Sequence, residues 1–157
     1  MIYIAILLTV FTICKLSLDL HQINYIKGLR ISEQEMHTLS VDRGFIDKSN
    51  SYAIHKLYLS IISTLITSLF VIFILLSDGF NLMYSFSEYI GLISIGETLA
   101  IILVFYISLT LINTPLNYFR IFYIEDKFGF NQMTKILFVR DTIIKTFLSL
   151  IIITFVF

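Results

Sequence analysis

Metal-assisted hydrolysis needs at least three protein ligands at one point, and this sequence offers few candidates. Its three histidines, His21, His37 and His55, are 16 and 18 residues apart. Glu33 and His37 fall on one helical face at i, i+4, but two ligands do not hold zinc, and no His-Glu-x-x-His occurs. The lone Cys14 has no partner for an internal disulfide and no metal spacing, and it reads as a small buried apolar residue. Nucleophilic chemistry is no better served. There is no Gly-x-Ser-x-Gly and no glycine-rich phosphate loop. Serines and threonines inside apolar helices ordinarily bond to backbone or to a neighbouring helix. The expectation is therefore no catalytic residue and no metal ligand set in these 157 residues.

The elements that carry these residues are apolar. Hydrophobic residues make up 57% of the chain and charged ones 14%, against roughly half and a quarter in soluble domains. The excess lies in long runs, which is the membrane signature. Eleven basic residues balance eleven acidic ones, so net charge argues for no nucleic-acid partner. The expected fold is all-α and multi-pass transmembrane, with three full spans at about 2–18, 57–77 and 88–113 and a truncated fourth at 142–157. The first run lacks a basic leading region and an Ala-x-Ala site, so it reads as a retained helix. Lys15 and Asp19 are placed at its end, where a long side chain snorkels to the headgroups. Ser85 and Glu88 have capping-box spacing at the start of the third run, and Pro115 ends or kinks that run. A short helix starting at Ser32 is expected in the long first loop. After Lys145 only about 12 residues remain, roughly 18 Å of helix against about 30 Å of hydrocarbon, so the expectation is a sequence that continues. Glu97 is the one acid inside a span. It either faces a wet cavity in the bundle or sits near the outer interface.

After the third run the chain reads Pro115, Tyr118, Phe122, Glu125, Phe128-Gly129-Phe130-Asn131, Thr134, Phe138, Asp141 and Lys145. Gly129 permits a backbone shape other residues resist, its two flanking rings can anchor the turn, and Asn131 can cap a new helix. This stretch resembles the N-terminal membrane domain of the type I CAAX prenyl endopeptidases, multi-pass zinc metallopeptidases with many bacterial relatives. Pro115, Tyr118, Phe122, Glu125, Gly129, Phe130, Asn131, Thr134, Phe138, Asp141 and Lys145 match the family pattern in order and spacing. Weaker likeness lies in 22–30 and 52–56. The resemblance implies that residues 1–157 are the N-terminal membrane domain of a larger metalloendopeptidase. Its zinc would be held by a His-Glu-x-x-His helix outside this sequence. The implied partners are the lipid bilayer, a C-terminal protease domain and a peptide or protein substrate, and the implied location is a bacterial inner membrane. The alternative is a stand-alone small membrane protein acting in interaction without catalysis. A downstream His-Glu-x-x-His in the reading frame would separate the two.

Orientation follows from the loops. Lys27, Arg30, Arg43, Lys48 and Lys56 lie between the first two runs, and Arg120, Lys127, Lys135 and Arg140 lie between the last two. No Lys or Arg lies between the second and third runs. The positive-inside rule then puts the first and third loops in the cytoplasm and the N-terminus outside. In a Cys14→Ser background, single cysteines at Ser49, Asp78 and Gln132 test this. Only the Asp78 site should react with an impermeant thiol reagent on intact cells, and labelling at Ser49 would reverse the assignment.

Overall fold

The computed structural model describes residues 2–29 and 42–156, and these are helical with no strand among them. The helix expected at Ser32, with Glu33 and His37, lies outside the described residues. The elements are α1 (Ile2–Gly28), α2 (Arg43–Leu76), α3 (Gly79–Tyr89), a 3-10 turn (Leu92–Ile95), α4 (Glu97–Phe119), a π-helical segment (Arg120–Glu125) and α5 (Lys135–Val156). Among the described residues three helices are long and apolar enough to cross a membrane: α1, α2, and α4 with its π extension. They make the chain a multi-pass membrane protein, and many of their large apolar side chains are exposed on the helix surfaces. Cys14 is among the exposed residues of α1 rather than buried.

The first two helices outrun their apolar stretches. Lys15 does not end α1, because its charge is met within the helix pair. Lys15 Nζ lies 2.9 Å from Asp19 Oδ2 and donates to Ser60 Oγ of α2 at 3.0 Å, while Ser60 Oγ donates to Asp19 Oδ2 at 3.1 Å. One turn outward, Thr12 Oγ1 donates to Ser68 Oγ at 2.9 Å. These bonds set the antiparallel register of α1 on α2. Helix α2 has 34 residues, about 51 Å at the helical rise. Some 20 Å of it must therefore project beyond a 30 Å hydrocarbon layer. Its projecting start is capped by Asp42, whose carboxylate accepts from the Gly44 amide at 3.1 Å.

The turn into α3 is tight, and the third span begins later than the apolar pattern suggested. Asp78 and Gly79 open α3, with Asp78 Oδ1 accepting from Asn81 Nδ2 at 2.6 Å. Ser85 therefore lies inside α3 and caps nothing. Left-handed Gly91 ends that helix and Gly96, at φ 114°, opens α4. Glu97 is the first residue of α4 and is exposed, at the positive end of the helix dipole rather than within the apolar span. The helix then runs through Pro115 to Phe119 and into the π segment, so Pro115 does not end it. An apolar core of Ile74, Met83 and Val104, with Phe70, Phe80 and Phe105 around it, holds this end of the bundle.

Gly79 is required there for space. A Cβ on it would lie 2.9 Å from the Cα of Ile74, a backbone atom that cannot rotate aside. Gly79→Ala should cost about 1–3 kcal/mol as overpacking. The check is the thermal unfolding midpoint in detergent, and an unchanged midpoint would show that the α2–α3 turn is looser than described.

Candidate functional site

The segment from Glu125 to Asn131 closes the π extension of α4 in a Schellman motif. The Phe130 amide donates to the Glu125 carbonyl at 2.8 Å, and the Gly129 amide donates to the Asp126 carbonyl at 2.9 Å. Gly129 takes φ 72°, the left-handed value this motif needs. The Asn131 amide also reaches the Glu125 carbonyl, at 3.3 Å. Asn131 is not the cap of the next helix. Its Oδ1 accepts from the Met133 amide at 2.7 Å, forming a local turn. The capping bond comes from Thr134, whose Oγ1 accepts from the Leu137 amide at 3.2 Å just before α5 begins at Lys135.

The two rings beside Gly129 grip the projecting part of α2. Tyr52 stands edge-on to both, 5.5 Å from Phe128 and 4.9 Å from Phe130 between centroids. His55, one turn on, packs edge-on to Phe128 at 5.3 Å. Its Nδ1 meets the Ser51 carbonyl at 2.8 Å and its Nε2 meets Lys127 Nζ at 3.1 Å, so both ring nitrogens are engaged. Lys48, Lys56 and Lys127 each lie over a ring of this cluster, at 5.4, 5.2 and 5.7 Å. Phe128, Ile124 and Leu59 form the buried heart of the joint, with Leu116 against it. Each such ring pair contributes about 0.5–1.5 kcal/mol beyond its buried area. Tyr52 and His55 belong to the 52–56 stretch that the sequence marked only by weaker likeness.

The other residues singled out from the sequence fall into two groups. Tyr118, Phe122 and Phe138 form an aromatic cluster with centroid separations of 4.6, 5.6 and 5.8 Å, and this ties the π segment to α5. Asp141 and Lys145 line a cavity of about 380 Å³ between α4 and α5, opposite Asn113, Asn117 and Arg120. Pro115 lies outside that cavity, in an apolar groove shared with Leu111 and Phe147. Glu125 Oε1 lies 3.7 Å from Arg120 Nε. Glu97 is not brought to any of these groups. The stripe Thr110, Asn113, Asn117 and Arg120 was missed in the sequence, although its three- and four-residue spacing puts it on one helical face.

Chemically, this is a joint and a polar groove. Among the described residues there is no group of three or more His, Cys, Asp or Glu that could hold a metal ion. The residues of the turn serve packing and backbone satisfaction. Nothing lies closer than 3.9 Å to a Cβ built on Gly129, so substitution there is penalised by conformation, not by crowding. Gly129→Val should cost about 1–3 kcal/mol. Gly129→Asn should cost less, because asparagine tolerates the left-handed region. Thr134→Ala should cost about 1 kcal/mol as a lost cap. Unfolding midpoints in detergent check the order, and equal midpoints for the Val and Asn variants would contradict it.

Comparison with known proteins agrees with the motif. A search of curated proteins and a search of solved structures each returned no match. The family described as CAAX prenyl protease N-terminal, five membrane helices, matches residues 22–157. That match takes in α2 to α5 and the whole of the Gly129 joint, and starts within α1. The chain therefore belongs to the family of CAAX prenyl protease N-terminal membrane domains.

Proposed function

We propose that the chain is the membrane-embedded N-terminal part of a zinc metalloendopeptidase, forming membrane wall and extramembrane joint around a catalytic site contributed by another segment. The observation that carries this is the family match over residues 22–157, which takes in the whole of the Gly129 joint. Zinc, its ligands and the general base would come from a His-Glu-x-x-His helix outside these residues, and peptide or protein would be the substrate. The role of this part is to hold the cytoplasmic ends of its helices in fixed relation. The membrane would be a bacterial inner membrane, and an orientation with the joint on its cytoplasmic side is supported by where the cations gather. Lys48, Lys56 and Lys127 lie on the joint, and Lys27 Nζ donates to Tyr58 of α2 beside it.

Two preparations test this reading. The protein including any downstream protease segment should cleave peptides in a chelator-sensitive way and recover with added zinc. Residues 1–157 alone, in detergent, should neither bind zinc stoichiometrically nor cleave. Chelator-sensitive cleavage that copurifies with residues 1–157 would overturn the proposal.

A further inference from the structure

A second cavity, of about 410 Å³, opens between α1, α2 and α4 beside the Gly129 joint. Lys15, Lys56 and Arg120 line it, together with Ser63, Thr64 and Asn117, and no acidic residue does. Lys15 is neutralised by Asp19. Lys56 has no carboxylate within 4.0 Å among the described residues and lies over the Tyr52 ring. Arg120 meets Glu125 only through Nε at 3.7 Å, so its two terminal amino groups stay available. The hydroxyls make the second observation. Thr9, Thr12, Ser108, Thr110, Thr114 and Thr142 each donate to the carbonyl one turn back, the usual economy of a hydroxyl in lipid. Among the described residues, Ser63 and Thr64, like Ser17 and Ser149 elsewhere in the helices, bond to nothing, but these two face the cavity. The lining thus combines a forked guanidinium, an unneutralised ammonium and free hydroxyls.

We propose that this cavity binds a phosphate group, with Arg120 and Lys56 as its charged donors and Ser63 and Thr64 as neutral ones. Guanidinium forks match phosphate oxygens in pairs, and basic pockets between transmembrane helices take anionic lipid headgroups. The site is independent of the protease reading, because it uses no residue of the presumed catalytic segment.

The test measures lipid binding to the purified protein by native mass spectrometry and by shift of the unfolding midpoint. The probes are phosphatidylglycerol, phosphatidylcholine and inorganic phosphate. Phosphatidylglycerol should bind and stabilise more than phosphatidylcholine. Lys56→Gln with Arg120→Gln should weaken it about tenfold or more, at roughly a kcal/mol per interfacial cation. Lys135→Gln, outside the cavity, should change it by less than about twofold. Ser63→Ala with Thr64→Val keeps every charge and should still lower affinity, which covers the case in which the double Gln variant does not fold. Displacement of lipid by inorganic phosphate, with the same variant dependence, supports the site and assigns it a soluble phosphate. Equal phosphatidylglycerol affinity in parent and hydroxyl-deleted protein, or no preference over phosphatidylcholine, overturns the proposal.

Discussion

Hydrocarbon offers no hydrogen bonds, so each polar group carried into it must be met from within the protein. That constraint orders this fold. Threonines along α1, α4 and α5 donate to the carbonyl one turn back, and none of the buried side-chain nitrogens or oxygens of the described residues is left without a partner. The charged pair Lys15 and Asp19 is held midway along α1, where Ser60 of α2 bonds to both. Few apolar side chains are fully buried among the described residues, and the polar bonds between α1 and α2 fix their register beside that packing.

Where the helices leave the lipid, a different interaction takes over. Water can satisfy the backbone there, and aromatic packing becomes the organising term. The chain reverses at Gly129 and uses the two rings beside it to hold Tyr52 on the projecting part of α2. The π segment places Ile124 under the same joint while Phe122 reaches Phe138 of α5. Three helices are thus joined within a stretch of ten residues. A protease segment that docks on this end would meet a fixed surface rather than separate helix ends.

Much of this was legible in the residues, and the misses have physical causes. Long uncharged runs announced three crossings, and a glycine between two phenylalanines announced a turn. The reach of α1 was hidden because Lys15 and Asp19 look like a boundary until Ser60 is placed beside them. The start of α4 was hidden because Gly91 and Gly96 lie in an otherwise apolar stretch, and hydropathy does not register a backbone break. Asn131 and Thr134 are both good caps by type, and only the bonds to Met133 and Leu137 show which residue does what. The polar stripe on α4 is a tertiary fact. Spacing puts Asn113, Asn117 and Arg120 on one face, but which neighbour they face depends on α1, α2 and α5 together.

The central claim is that the Gly129 turn acts as a clamp on α2 and not as a free loop. A double-mutant cycle between Tyr52→Ala and Phe130→Ala, read from unfolding free energies of the purified protein, tests it most directly. The rings are 4.9 Å apart in edge-on contact. A coupling energy of about 0.5–1.5 kcal/mol between them is expected, as for aromatic pairs in contact. Strict additivity of the two substitutions would contradict it, leaving the turn packed on something other than α2.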